Sequence, residues 1–581
     1  MKILVVNLLR LGDVIATAPA VKAIRARYPD AEIHMLVNSN FEYAARLIGG
    51  VDRTLRFDRD RLQASCIEGE RPFFEAFDWL QAFVEETGAE GYDLLYNFTH
   101  NRLSGWLCGL IPATKKIGLT LDGSGAVSFG SAWFRHLNQQ VDFDEAQSFN
   151  HTDVFIGAAG GWEQAREVGF FDQLLMETES GRAEAAKCLG DFDGFSVDRR
   201  AIGFQLSTSD EKKEWGDTRF RALAETTLRR EPGTVLYVIG APGERERIEN
   251  FCRSVEAEPN RVRPAILSLS GIVSFLENID VLVTGDTSIK HFGSAGSTRI
   301  VEIAVGSADA HRTGSWKAGD FVVASRELCA PCGHSEKCHR TSHACAIGIQ
   351  PEAIAQLVSS ILNDETAEIR RARLASSQTV CNTARFFEVD RSEGPASLIP
   401  IDEEGLSDES LALCLERSAR RLALESRDGS FDRARFGSEI LAVKNFVDRR
   451  FRTVTSMEMR HALSDGETRL RHAEGIVQSL KIQLARLKES IQDPKRIGEV
   501  VSSVIAMRSR LQRNPWTRFV AEPLTQIIED DRSAPFPRFR KLSDSVNDLQ
   551  LRMEIALKLI RGLETEFENE ITSKSSMGDR P

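Results

Sequence analysis

The sequence predicts an α/β protein with two Rossmann-like, doubly wound domains facing a cleft, followed by an α-helical C-terminal module. Three observations carry this prediction. Strand-length apolar runs alternate with amphipathic helical runs over residues 1–165. The alternation restarts at 195 and continues to 365. From 406 to 572 the apolar residues instead recur in steps of three and four. A chain of 581 residues is in any case too long for one hydrophobic core.

Composition narrows the class. The chain is 42% hydrophobic and 27% charged, ordinary for a soluble protein, and its net charge of −11 argues against a nucleic-acid partner. It has no apolar run of the ~18 residues that suggest a membrane-spanning helix. Residues 1–7 are too short for the apolar core of a leader and read as a first strand, so the cytoplasm is the expected compartment.

In chain order, residues 2–6 form a continuous apolar strand suited to the centre of a parallel sheet. The turn at 9–13 has one glycine and is not a dinucleotide fingerprint. Residues 14–24 read as a helix in which Pro19 imposes a kink or a restart. A strand follows at 32–37, and strands at 92–98 and 115–119 flank a helix at 102–110. In the second series, strands are expected at 201–206, 235–239, 265–269 and 280–284, with helices at 217–230, 244–256, 271–278 and 351–362.

Several residues at the strand ends can carry chemistry. Asp13 lies just past the first strand, where open α/β sheets bind ligands, and could act as a general base. It could equally be a helix-terminal aspartate that complements the dipole. Asn97, His100 and Arg102 cluster past another strand end, either lining an acceptor pocket or serving as loop residues. Lys213 lies in a polar loop after strand 201–206. In Gly285-Asp286-Thr287-Ser288-Ile289-Lys290-His291 a strand turns into a helix whose cap is Thr287 or Ser288. Such a helix start offers free N–H groups and a positive dipole end to a phosphate, although an ordinary capped junction has the same pattern.

Cys329, Cys332, Cys338 and Cys345 place four thiols within 17 residues. The first pair has metal-knuckle spacing, and four thiolates suit zinc or iron in a closed, structural site. His334, His339 and His343 are substitute ligands; unmetallated thiols or a redox pair are the alternatives. The other six cysteines are scattered and read as small core residues.

Five motifs in one order resemble glycosyltransferase family 9, the heptosyltransferases. They are Leu11-Gly12-Asp13-Val14 with Pro19-Ala20, Lys213-Glu214-Trp215, Gly240-Ala241-Pro242-Gly243-Glu244, Asp286-Thr287-Ser288-Ile289-Lys290-His291, and the cysteine segment from Cys329 to Cys345. The resemblance covers residues 1–362. It implies a GT-B fold and an inverting transfer from a nucleotide-activated sugar, ADP-heptose in particular, without a catalytic metal. The acceptor would be a surface glycan, a lipopolysaccharide or a protein. Asp13 would be the base, Lys213 would contact donor phosphates or sugar, Asp286 would hold donor hydroxyls, and Thr287, Ser288 and His291 would meet the phosphates. Protein-modifying enzymes similar to this family can hold iron in such a cysteine motif. Ser288 stands where the family usually has glycine, and its side chain would either narrow the phosphate approach or donate to the phosphate; Lys290 adds a second cation beside His291. Such an enzyme would work in the cytoplasm or peripherally at the inner membrane. Two other readings stay open: a non-catalytic, oligomeric nucleotide-sugar-binding scaffold, and a GT-B nucleotide-sugar epimerase.

The resemblance ends before a short β segment at 380–405 and the helical module. There, three seams run through Leu470–Ile491, Ile497–Leu511 and Leu542–Phe567. They fit an intramolecular bundle or a homo-oligomeric coiled coil, with Pro494, Pro515, Pro535 and Pro537 separating the helices. The tail from 573 to 581 is expected to be unstructured.

Overall fold

The computed structural model describes residues 1–66, 73–139, 149–190, 200–333, 337–338, 342–375, 383–401, 408–427, 436–451, 455–488 and 535–578, except 168 and 393, plus positions 502, 506 and 516. The described residues fall into two compact units, one reaching to residue 403 and the other beginning after it.

The first unit contains two sheets. Strands β1 (Lys2–Asn7), β2 (Glu32–Asn38), β3 (Arg53–Phe57), β4 (Tyr92–Asn97) and β5 (Ala113–Gly118) form the first, all parallel, in the order β3-β2-β1-β4-β5. Ile3 to Val6 are fully buried, because helices cover both faces of a central parallel strand. β3 is an edge strand, with Arg53 and Arg56 exposed, that the apolar pattern did not reveal. The helix after β1 stops at Ile15 and restarts as Ala18–Arg27. Pro19 falls in the first turn of the new helix, where its missing N–H needs no partner. A small hairpin, β6 (Thr120–Leu121) and β7 (Val127–Ser128), follows.

The second sheet has eight strands: β8 (Arg200–Gln205), β9 (Thr234–Gly240), β10 (Val262–Ile266), β11 (Val281–Thr284), β12 (Arg299–Ala304), β13 (Phe321–Ser325), β14 (Ala384–Asp390) and β15 (Ser397–Pro400). Their order is β10-β9-β8-β11-β12-β13-β14-β15. The first six are parallel and the last two antiparallel. β10 begins before the predicted 265–269 and includes Pro264, which a sheet edge tolerates because one side of the strand needs no ladder bond. The segment expected at 380–405 is not a separate element. β14 pairs with β13, with Phe321 opposite Glu388, and β15 pairs with β14, so the two strands extend the second sheet.

Each sheet reverses its strand order once among its first strands, between β1 and β4 and between β8 and β11. Crevices at such switch points open at the carboxyl ends of the strands. The segments leaving these four strands are therefore the site-forming ones: 8–13, 98–102, 206–215 and 285–291. The two switch points face each other, because helix Leu11–Ile15 packs against helix Ser288–Ser294. This is a GT-B arrangement. Helix His151–Ala159 packs on helix Ala18–Arg27, and its Asp153 pairs at 2.7 Å with Arg391, just past β14.

The second unit is helical among its described residues: Asp408–Arg427, Phe436–Arg450, Ser456–Lys488 and Pro535–Gly578. The last helix packs on the other three. It runs antiparallel to Ser456–Lys488, with Arg561 bonded to Glu467 at 2.9 Å and Arg460 to Glu568 at 3.2 Å. Seam residues Leu470, Ala473, Val477, Val546, Met553, Ala556, Ile560, Leu563 and Phe567 are buried within the unit. The seam through Ile497–Leu511, and the helix break expected at Pro494 and Pro515, lie outside the described residues. Pro535 and Pro537 begin a helix rather than end one, and that helix runs through Gly578, so the tail is helical up to that point. No described helix is long and apolar enough to cross a membrane.

Candidate functional site

The end of β1 fixes Asp13. The buried Asn7 amide donates to the Asp13 carbonyl at 2.9 Å and to Thr17 Oγ1 at 2.8 Å, and its Oδ1 accepts the Leu9 N–H at 3.1 Å. The Leu8 N–H donates to Thr99 Oγ1 at 2.7 Å, tying this turn to the segment after β4. Among the described residues only one carboxylate oxygen of Asp13 is bonded, Oδ2, which accepts the Arg10 N–H at 3.2 Å. Asp13 therefore does serve its helix terminus, but with half of its carboxylate. Burial raises its pKa above the ordinary value; the Arg10 N–H opposes this and the negative charge of Asp286 adds to it.

Across the cleft, Lys213 ends a short turn, Glu211–Lys213, started by Asp210, whose side chain accepts the Lys212 N–H at 3.0 Å. Lys213 Nζ reaches Asp286 Oδ2 at 2.6 Å. The other oxygen of Asp286 is taken by Lys290 Nζ, also at 2.6 Å. Lys290 further donates to Glu302 Oε1 at 2.9 Å and to the Thr313 carbonyl at 2.7 Å, while Glu302 Oε2 accepts the Ser315 N–H at 2.6 Å. Burial alone would raise the Asp286 carboxyl, but the two ammonium groups outweigh it and hold the group well below the usual carboxylate range. Lys290 is thus not the ligand-facing cation expected from its place beside His291. Its side chain is fully buried, because two carboxylates and a carbonyl draw it into the second domain.

Thr287 is the N-cap of helix Ser288–Ser294, accepting the Lys290 N–H at 3.4 Å, with Thr284 Oγ1 at 3.1 Å. Ser288 opens the helix beside Gly12. His291 lies over Gly12 so closely that a Cβ there would stand 2.7 Å from its Cδ2. This contact explains the glycine beside Asp13. His291 Nδ1 is shielded from solvent and has no partner among the described residues. Burial, reinforced by the Lys290 charge, pushes the imidazole down to about 3, so it is neutral at physiological pH.

The acceptor-side residues divide. Asn97 is a correction: its amide donates to the Leu119 carbonyl at 2.7 Å and to Ser104 Oγ at 3.2 Å, and its Oδ1 accepts the Thr99 N–H at 3.0 Å, so it is engaged in holding the loop. Arg102 is exposed at the start of helix Arg102–Leu110. His100 stacks edge-on against His151, with ring centroids 5.4 Å apart. His100 Nδ1, His151 Nε2 and Arg312 Nε are all shielded from solvent and have no partner among the described residues. Burial, aided by the Arg312 charge, holds both imidazoles below their ordinary value. Neither His151 nor Arg312 belongs to a motif; a lone histidine after the Asn150 helix cap was the one available signal.

In the cysteine segment the charges of Cys329 and Cys338 add to burial in raising the thiols of Cys332 and Cys345, so the four thiols lie near one another. Cys345 is buried in the core, Cys332 is half-buried, and Cys329 and Cys338 are exposed. Among the described residues no three His, Cys, Asp or Glu side chains form a metal-holding group, so the expected structural zinc or iron finds no support there. His334 and His339 lie outside the described residues. The segment braces the Lys213 turn through its backbone and His343 instead. His343 Nε2 meets the Lys212 carbonyl at 2.8 Å, Lys212 Nζ donates to the Gly333 carbonyl at 3.3 Å, and the Cys332 N–H donates to the Gly306 carbonyl at 2.9 Å. Trp215, buried two residues beyond Lys213, donates its indole N–H to the Ala346 and Ile349 carbonyls at 3.2 Å.

Residues 80–343 match the family model for glycosyltransferase family 9 (heptosyltransferase). Lipopolysaccharide heptosyltransferase 1 of Pseudomonas aeruginosa is 22% identical over 344 residues, 57% of this chain and 86% of its own. Among solved structures, the E. coli ADP-heptose lipopolysaccharide heptosyltransferase II aligns over 63% of this chain and 99% of its own, at 16% identity and a TM-score of 0.43. A family 9 glycosyl transferase from Veillonella parvula aligns over 63% and 98%, at 18% identity and a TM-score of 0.47.

Proposed function

We propose that this protein is an inverting glycosyltransferase of the family 9 type, moving a heptose from ADP-heptose to a hydroxyl of a lipopolysaccharide or another surface acceptor, a protein included. One observation carries the reading: a carboxylate with a raised pKa and a free oxygen, from the first domain, faces the Lys213–Asp286–His291 group of the second. A base opposite an anion- and hydroxyl-binding group is what a single displacement at an activated sugar carbon requires.

In this reaction Asp13 takes the proton from the acceptor hydroxyl as its oxygen bonds to the anomeric carbon. The bond from that carbon to the diphosphate breaks on the opposite face, and the electron pair leaves with ADP. Lys213 and the neutral His291 ring donate to the diphosphate as its charge grows. Asp286 holds hydroxyls of the donor sugar. Ser288, at the helix start beside Gly12, adds a hydroxyl where the family usually has glycine. The unpartnered nitrogens of His100, His151 and Arg312 supply polar contacts on the acceptor side.

The test is ADP release from a panel of nucleotide sugars, with and without a truncated lipopolysaccharide core or a candidate acceptor protein, for the parent and Asp13→Ala. Acceptor-dependent release that Asp13→Ala abolishes is expected. Turnover unchanged in Asp13→Ala removes the base assignment, and donor binding without turnover under any acceptor favours a binding scaffold.

A further inference from the structure

The cation that a donor diphosphate needs is already engaged. Lys213 is bonded to Asp286, and Asp286 holds a second ammonium on its other oxygen. The two lysines differ in freedom. Lys213 reaches in from a short turn and has one bonded partner in this group, whereas Lys290 is fully buried and has three acceptors, from Asp286, Glu302 and Thr313. Glu302 is itself fixed by the Ser315 N–H.

We propose that Lys290 is a positioning residue: it is the permanent countercharge of Asp286, and so allows Lys213 to pass from Asp286 to the donor's diphosphate. This rests on the reading of residues 285–291 as the donor site. A buried carboxylate left without a cation is strongly destabilising. If Lys213 were its only partner, handing Lys213 to a diphosphate would strand Asp286, and the donor would bind against that penalty. With Lys290 on Oδ1, Asp286 stays ionised and compensated when Lys213 leaves. Oδ2 is then vacated, and a hydroxyl of the donor sugar can donate to it. Diphosphate and sugar are thereby coupled: one draws the lysine away and the other takes the oxygen it vacates.

Calorimetric titration of the full chain with ADP tests this. The double variant Lys290→Met with Glu302→Gln removes the countercharge without stranding Glu302. It should bind ADP at least about tenfold more weakly than the parent, because Lys213 is now the sole partner of Asp286. Adding Asp286→Asn to that pair should restore ADP affinity to the parent level or above while sugar transfer stays lost. A purely packing role for Lys290 would not be rescued by removing a carboxylate. Parent-like ADP affinity in the folded double variant, or no recovery in the triple, overturns the inference. Should the double variant fail to fold, Asp286→Asn alone must bind ADP at least as tightly as the parent, since Lys213 is released; weaker binding overturns the inference. A parent that binds neither ADP nor UDP sinks the donor reading first, and the inference with it.

Discussion

At the scale of single residues, the site depends on how burial sets charge. Asp13 has a raised pKa, and a general base works only when ionised. The acidic limb of the kcat/KM profile should therefore lie above the usual carboxylate range, and transfer should fall as pH drops through it. Asp13→Asn should lose about 10²–10⁴-fold in kcat with ADP affinity retained, measured by nucleotide release and titration. His291 behaves in the opposite sense. Its folded pKa is pushed from 6.5 to about 3, so the unfolded chain takes up a proton first as pH falls. Stability should decline from 6.5 downward through this group, and His291→Asn should flatten that decline in urea titrations run at neutral and mildly acidic pH. Gly12→Ala would push a methyl against the His291 ring at 2.7 Å. A cost of about 1–3 kcal/mol is expected, read as a lower unfolding midpoint together with weaker ADP binding.

At the scale of elements, strand ends and braces position the chemistry. The Lys213 turn has little regular structure, yet it is held from three sides: by Asp210, by the contacts of His343 and Gly333 with Lys212, and by Trp215 on the 346–349 segment. Trp215→Phe keeps the ring packing but leaves two buried carbonyls short of a donor. It should lower stability by about 1–3 kcal/mol in urea and raise KM for the donor through a loosened Lys213 turn. The apolar runs made the central strands and the helices 217–230 and 351–362 legible, because a strand or helix buried on one face writes its period into the sequence. β3 escaped because Arg53 and Arg56 interrupt any apolar period in this short edge strand, and β10 shifted because its proline is harmless only at an edge.

At the scale of the whole molecule, the motif-bearing region and the folded unit have different ends. The motifs stop by 362, but β14 and β15 still belong to the second sheet, and Ala384 and Phe386 are fully buried in its core. A chain stopped after residue 365 would leave β13 as a bare edge over an incomplete core and should aggregate, whereas one stopped after 403 should stay soluble and monomeric by size-exclusion chromatography. Among the described residues, the helical unit after 403 buries the seam residues of helices Ser456–Lys488 and Pro535–Gly578, and Arg421 bridges Glu425 and Glu439 between two of its helices.

By itself the sequence determined the two strand–helix series, the placing of Asp13, Lys213 and residues 285–291 at strand ends, and the family those motifs resemble. These are local or periodic properties, written in spacing. Only the tertiary structure decided which charges remain free. Lys213 comes 73 residues before Asp286 and Glu302 comes 12 after Lys290, yet all four form one buried ion network, and Gly12 meets His291 across the cleft. Lys290 next to His291 looked like a second cation for the ligand; burial beside two carboxylates made it a fixed counterion instead. Four cysteines in one segment looked like a metal site; the fold brings their thiols near one another at unequal depths, with no metal-holding group among the described residues. Spacing along a chain fixes which groups are near in sequence, but desolvation and pairing depend on what the rest of the chain brings to them.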